Sequence, residues 1–158
     1  YSGIPCEKIA IILLSAYVQY GANQPEYDLI AVSGDKMLKI SVKGSQDGGW
    51  GLTQSYKKGC DYQEAIQKWL SNHHKKTIFC LVQFKGTEDH EMPRMYLASP
   101  VEIAEVLKKS AGGRGETILY EYHEWGPRAA GRGTIDRVPD EWRFTAERAK
   151  DMFETYGQ

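Results

Sequence analysis

The sequence lacks the residue patterns that identify several common classes of protein. Its 158 residues contain three cysteines, an odd number, and no CxxC pair, so neither a disulfide framework nor a cysteine-based metal site is expected. The glycines form neither a GxGxxG nor a Walker pattern, which argues against a doubly wound nucleotide-binding fold. The net charge of -1 gives no overall attraction for nucleic acid, so such a partner would need a local basic patch.

Long apolar segments are also missing. The apolar run Ile9–Leu14 is too short to span a bilayer and lacks the flanks of a signal peptide. Together with cysteines that we expect to be reduced, this predicts a cytoplasmic protein with no membrane partner. Hydrophobic residues make up 41% of the chain and charged residues 26%, as is ordinary for soluble proteins, and the length suits a single domain over residues 1–158.

The order of predicted elements indicates an α/β or α+β fold, with a mixed central sheet flanked by helices. Residues 5–20 are apolar on most sides and predict a largely buried helix. Residues 123–143 contain Gly, Pro and Arg and are expected to be irregular. The remaining elements are predicted from capping signals and apolar patterns. They are helices capped by Asp61 and by Ser99, a terminal helix over 144–157, and strands over 76–84, 94–98 and 116–122.

A β-hairpin around Gly34 and Asp35 is the most informative element. If these two residues form the loop, every opposed pair of residues is fixed, because loop length sets the register. Asp28 then lies directly across from Ser41. A loop of three residues would break this arrangement.

The same register places Glu26 across from Lys43. Because side chains alternate along a strand, Asp28 and Ser41 share a face with this pair. The opposite face is apolar and is expected to pack on the core. It holds Tyr27, Leu29, Ala31, Leu38, Ile40 and Val42. A plain alternative is a solvated polar face with ion pairs Glu26–Lys43 and Asp28–Lys39, each contributing a few tenths of a kcal/mol.

A helix with an early glutamate, then an aspartate that opens a hairpin, then a strand that ends in a lysine resembles the PD-(D/E)XK nuclease superfamily. The resemblance spans residues 7–43. In "PEYD", Asp28 matches the motif aspartate, and in "SVK", Lys43 matches the motif lysine. Glu7 matches the helix glutamate of many members, and Ser41 stands where an acidic residue or Gln would stand. The resemblance implies a restriction-endonuclease-like fold.

The resemblance also implies Mg²⁺-dependent hydrolysis of DNA phosphodiester bonds. Mg²⁺ prefers a few carboxylates, a backbone carbonyl and waters as ligands. Asp28 would be the central ligand, supported by the Val42 carbonyl and Glu7. Lys43 would orient the attacking water or neutralise the phosphate. The implied catalytic set is therefore Asp28, Lys43, Glu7 and the position of Ser41.

Ser41 is the departure from the superfamily pattern. A hydroxyl binds Mg²⁺ more weakly than a carboxylate, so metal binding is weakened or lost unless another acidic residue substitutes. Glu26, across from Lys43, is the substitute that the register favours. Glu7 has a second explanation, because a carboxylate in the first turn of a helix is stabilised by the helix dipole.

Three residues outside the hairpin are candidates for contact with nucleic acid. Arg128 and Arg132 lie on Gly-rich backbone, which suits phosphate contact, although a solvated loop is the alternative. Trp50 follows the lysine strand and could stack on a base or fill the core. His73, by contrast, is expected to cap the end of a helix rather than to bind a metal.

The leading prediction is a Mg²⁺-dependent nuclease that acts on DNA. A second is a degenerate superfamily member that binds nucleic acid or a partner protein without cleavage. A third makes the chain a small interaction or immunity-type protein in which the hairpin face is ordinary surface. The substrate structure and the oligomeric state, a homodimer included, are left open.

Overall fold

A computed structural model describes residues 18–19, 27–73 and 75–158 of the chain. These residues form one five-stranded sheet, two sheets of two strands, and three α-helices. The large sheet contains both parallel and antiparallel pairs. The prediction of an α/β or α+β fold around a mixed sheet is therefore confirmed.

The large sheet has the strand order β1-β2-β3-β5-β6. In chain order the strands are β1 (Val18–Gln19), β2 (Leu29–Ser33), β3 (Lys36–Ser45), β4 (Gly49–Trp50), β5 (Thr77–Gln83), β6 (Arg94–Ala98), β7 (Leu119–Tyr120), β8 (Tyr122–Glu124) and β9 (Ile135–Arg137). β2 and β3 form an antiparallel hairpin, whereas β3 and β5 are parallel. β4 pairs with β7, and β8 pairs with β9, in the two small sheets.

Two of the three helices in the described residues begin at the predicted caps, Asp61 and Ser99, and the predicted terminal helix begins two residues later than expected. The three helices are α1 (Tyr62–Ser71), α2 (Pro100–Lys109) and α3 (Ala146–Tyr156). Asp61 and Ser99 each form a capping box, with Glu64 and Glu102 respectively, and Thr145 caps α3. α1 lies in the connection between parallel strands β3 and β5, which needs a crossover of this kind. No helix in this part of the chain combines the length and apolar character needed to cross a membrane.

Helices cover both faces of the large sheet. α1 and α2 pack on one face, in a cluster that includes Ile66, Trp69, Phe79, Leu81, Tyr96, Ile103 and Leu107. α3 packs on the other face, in a cluster that includes Ala31, Leu38, Ile40, Ile78, Leu97, Met152 and Phe153. Adjacent residues of β5 thus belong to different clusters, as the alternation of side chains along a strand requires.

The structure corrects the end of the helix predicted over residues 5–20. Val18 and Gln19 form strand β1, which pairs with Ile30 and Leu29. A short apolar run does not distinguish a buried helix from a buried strand, and strand pairing decides it here. The rest of that predicted helix lies outside the described residues.

The stretch after α2 also differs from its prediction. The strand predicted over 116–122 is divided into β7 and the start of β8, and residues 123–143, expected to be irregular, contain β9. The division falls at Glu121, where the chain exchanges hydrogen-bond partners. Its N–H donates to the Gly48 carbonyl at 2.9 Å, and its carbonyl accepts from the Val138 N–H at 3.2 Å.

Candidate active site

The hairpin between β2 and β3 has the predicted register. Ser33 pairs with Lys36, and Leu29 pairs with Ile40. Gly34 in the two-residue loop has a φ of +64°, a conformation that glycine adopts without strain. The alternation of side chains over the paired residues Leu29–Ile40 follows from this register.

Asp28 lies just before β2, where the regular pairing ends. Its N–H donates to the Ile40 carbonyl at 2.8 Å, although Leu29 is the register partner of Ile40. Two residues therefore face one, as in a β-bulge, which can re-aim a side chain. The Asp28 carboxylate reaches β3, where Oδ2 accepts from the Val42 N–H at 2.6 Å and from the Ser41 hydroxyl at 3.4 Å. The structure thus brings Asp28 and Ser41 together.

Val42 departs from its predicted place on the core face. It is 37% exposed, whereas Ser41 is only 6% exposed. Ser41 pairs with Phe79, which packs on Trp69 of α1, so the helix covers the hydroxyl side of β3. The N–H and C=O of one residue in an extended strand point towards the same neighbour. The Val42 carbonyl therefore lies at the strand edge where Asp28 lies.

Lys43 is exposed, two residues beyond Ser41. Its carbonyl accepts a hydrogen bond from the Trp50 indole N–H at 3.0 Å. Trp50 is 2% exposed and packs edge-on against Tyr96, with ring centroids 6.1 Å apart. Trp50 is therefore a core residue that fixes the backbone at Lys43, which corrects the alternative in which its ring stacks on a base. We refer to Asp28, Ser41, Val42 and Lys43 as the hairpin site.

A pocket of about 240 Å³ opens beside Lys43. Its other lining residues are Gly51, Leu52, Tyr56, Trp69, His73 and Phe79. His73 follows α1, and its Nδ1 lies 2.6 Å from the Trp69 carbonyl, so it caps the helix as the sequence predicts. Its place beside Lys43 is not predicted by any motif. Only the crossover of α1 between the parallel strands β3 and β5 brings the two side chains to one pocket.

Asp28 is the single carboxylate that the described residues bring to the hairpin site. Within these residues, no three His, Cys, Asp or Glu side chains meet as a metal site requires. The other predicted carboxylates, Glu7 and Glu26, lie outside the described residues. The ion pair between Asp28 and Lys39, predicted for a plain solvated face, does not form among the described residues. The Lys39 ammonium lies instead 5.2 Å from the centre of the Tyr27 ring.

Arg128 and Arg132 are both exposed on the loop between β8 and β9. The base of this loop is held by Asp136, whose carboxylate accepts from the Trp125 indole N–H at 2.7 Å. Gly131 packs so closely against Trp125 that a Cβ there would lie 2.7 Å from the ring. No hydrogen bond or ion pair of the described residues links either arginine to the hairpin site. Their contact with nucleic acid stays a prediction.

A second polar cluster is centred on Glu121. Its carboxylate accepts two bonds from the Arg94 guanidinium, both at 2.8 Å, and one from the Tyr96 hydroxyl at 2.7 Å. Burial works to raise the pKa of Glu121, but these bonds outweigh it and lower the pKa. Burial, followed by the bond to Glu121, raises the pKa of Tyr96 to about 12. With its bonds already made inside the fold, this cluster has a structural role.

No protein-family model, curated protein or solved structure matches the chain significantly. The resemblance in the hairpin therefore has no support from relatives. The function has to be proposed from the geometry of the hairpin site and its pocket.

Proposed function

We propose that the chain is a restriction-endonuclease-like domain that hydrolyses DNA phosphodiester bonds at the hairpin site. The observation that carries this proposal is the position of the Asp28 carboxylate, which contacts Ser41 and Val42 of β3. The contact lies where β3 passes its last paired residue of β2 and continues beside β5. A mixed sheet flanked by helices supports the proposed fold.

Lys43 supplies the positive charge that a phosphodiester substrate needs. Its side chain is exposed and lines the pocket, and an ammonium contacts phosphate oxygens as a point charge. The bond from Trp50 to the Lys43 carbonyl fixes the backbone from which this side chain projects. The Val42 N–H and the Ser41 hydroxyl hold the Asp28 carboxylate against β3, the strand that also carries Lys43.

The oxygen donors at the strand edge fit part of a Mg²⁺ site. One or two carboxylates are enough for Mg²⁺ when waters and substrate phosphate complete the coordination, and Asp28 with the Val42 carbonyl would hold the ion. When bound, Mg²⁺ polarises the phosphate and stabilises the leaving oxygen. Glu26 or Glu7 would strengthen the site as the second carboxylate that the sequence predicts.

A second candidate function is binding of nucleic acid or of a partner protein without cleavage. Two observations favour it. The 2.6 Å bond from the Val42 N–H satisfies Asp28 Oδ2 within the protein, and Ser41 places a hydroxyl where the superfamily has an acidic residue. A carboxylate that is already hydrogen-bonded gains less from a metal ion, so this arrangement suits a site that has lost catalysis.

Cleavage of supercoiled plasmid DNA in MgCl₂ or MnCl₂ tests the first proposal. We expect nicked or linear product from the parent, and rates roughly 100-fold lower from Asp28→Asn and from Lys43→Met. Asp35→Asn and Lys58→Met make the same chemical changes at exposed positions outside the hairpin site and should cleave like the parent. An Asp28→Asn protein with the parental rate would refute the proposed site.

The two candidate functions are separated by DNA binding in the same preparations. Binding that weakens with added salt, in a parent that cleaves no DNA with either metal, supports the second function. Cleavage that depends on Asp28 supports the first.

A further inference from the structure

His73 lies over the part of the sheet that carries the hairpin site. Its ring centroid is 4.4 Å from that of Trp69 and 5.4 Å from that of Phe79. Phe79 is the register partner of Ser41 in the parallel pair of β3 and β5. The ring is therefore held against the strand position next to Ser41, independently of the outline of the pocket.

One nitrogen of the His73 ring already forms a hydrogen bond within the protein. Nδ1 lies 2.6 Å from the Trp69 carbonyl, and a carbonyl oxygen only accepts hydrogen bonds. Nδ1 must therefore carry a proton in this bond. In the neutral ring, Nε2 then holds the lone pair, which can accept a proton or a hydrogen bond. The cap at the end of α1 thus fixes both the orientation and the tautomer of the ring.

His73 lines the pocket together with two other titratable residues. They are Lys43 from β3 and Tyr56 from the turn Gln54–Tyr56. Among the described lining residues, none is a carboxylate. The His73 imidazole can act as a base beside Lys43, and no carboxylate among the described lining residues competes for its proton. This arrangement suits proton transfer from a water next to a bound anion.

We propose that His73 is a catalytic residue of the proposed nuclease, and that its Nε2 takes the proton of the attacking water while Lys43 holds a phosphate oxygen. This inference rests on the proposed function. In the step, a water O–H bond breaks and its proton passes to Nε2, while the water oxygen forms a bond to phosphorus. The bond from phosphorus to one sugar oxygen breaks, and that oxygen takes a proton from solvent.

Two substitutions separate the base from the helix cap. His73→Asn keeps an amide N–H near the position of Nδ1, so it can donate to the Trp69 carbonyl, but it has no atom at Nε2. His73→Gln reaches the position of Nε2 but loses the cap. We expect His73→Asn to fold but to melt slightly below the parent, because it loses the ring contacts with Trp69 and Phe79. It should cleave plasmid about 100-fold more slowly, a usual loss for a general base. His90→Asn, at an exposed turn, is the matched control and should cleave like the parent.

The pH dependence and NMR provide readouts that a purely structural role would not change. The cleavage rate of the parent should rise with pH around the midpoint at which NMR shows His73 to titrate, and His73→Asn should lose this rise. The nitrogen shifts of the neutral ring should report a proton on Nδ1.

The possible failures are distinguishable. A parent that cleaves DNA, with a His73→Asn variant that has the same rate and pH profile, overturns the role of His73 and leaves the proposed function standing. A parent that cleaves no DNA with any divalent ion overturns the proposed function, and the catalytic role of His73 with it. A neutral ring with its proton on Nε2 overturns the inference whatever the activity.

Discussion

Replacing Ser41 by aspartate places a second carboxylate against Asp28. The Ser41 hydroxyl oxygen is 3.4 Å from Asp28 Oδ2, and Ser41 is only 6% exposed, so the two carboxylates meet at close range with little water. Two negative charges about 4 Å apart repel by roughly 4 kcal/mol at an effective dielectric constant of about 20. Asp28 is exposed and solvent screens part of this repulsion. We therefore expect Ser41→Asp to lower the free energy of unfolding by about 2–4 kcal/mol without divalent metal.

Mg²⁺ should recover much of this loss, because it binds between the two carboxylates of the folded protein only. At roughly 100 times its dissociation constant, a ligand of this kind adds about 2.7 kcal/mol to stability. For a protein of this size, a change of about 1 kcal/mol moves the Tm by roughly 2–4 °C. The variant should thus melt about 5–15 °C below the parent in EDTA and return most of the way in excess MgCl₂.

Thermal unfolding followed by circular dichroism, in EDTA and in MgCl₂, measures both effects. Ser41→Asn has a similar size without the charge, and Ser33→Asp adds a charge at an exposed position of the same hairpin. Mg²⁺ should raise the Tm of each control no more than it raises the Tm of the parent. Repulsion between the two carboxylates is refuted if Ser41→Asp is as stable as the parent in EDTA, or if Mg²⁺ raises the Tm of all three variants equally.

Three further predictions concern residues around the hairpin site and in the core. Glu121→Gln should lower the free energy of unfolding by about 1–2 kcal/mol at neutral pH, after allowance for solvent screening of its partly exposed ion pair. Burial works to raise the pKa of Glu121, but its hydrogen bonds lower this pKa below the ordinary 4.5. The stability that these bonds contribute is therefore present above pH 4.5 and is lost as the pH falls through the lowered pKa. Urea titrations of the parent and of Glu121→Gln should converge in acid. Burial raises the pKa of the Cys80 thiol to about 12, so mass spectrometry should show iodoacetamide labelling Cys60 well before Cys80 at mildly alkaline pH, and equal labelling would contradict this. Trp50→Phe removes the N–H that donates to the Lys43 carbonyl and should cost about 1 kcal/mol in urea unfolding, whereas an unchanged midpoint would show that the bond contributes nothing.

Local signals in the sequence predict a large part of the fold. The capping boxes at Asp61 and Ser99 depend on residues three positions apart, so the first residues of α1 and α2 can be predicted without tertiary information. The hairpin register follows from its two-residue loop alone. Strands β1 and β4 have two residues each, too few to show any periodicity, and only their partners define them.

The candidate site is predictable only where one hairpin builds it. The register predicts that Asp28 lies near Ser41, but the bulge at Asp28 brings its carboxylate closest to the Val42 N–H. The position of His73 depends on the parallel pairing of β3 with β5 and on the crossover of α1. Parallel pairing joins segments that are far apart in the chain, so no characteristic spacing of residues in the sequence predicts it. Alternation likewise separates Ser41 from Val42, but it does not indicate which side the helices cover more deeply.

Titration of the isotope-labelled protein with Mn²⁺ tests most directly whether divalent-metal chemistry is centred on Asp28, because this ion broadens the NMR signals of nearby amides. We expect the amide signals of Ser41, Val42 and Lys43 to broaden first, at Mn²⁺ levels that leave Met37 near the hairpin loop unchanged. Asp28→Asn should abolish this selective broadening. Equal broadening of these signals in Asp28→Asn, or broadening that begins at another acidic segment such as residues 88–91, would contradict the proposed site.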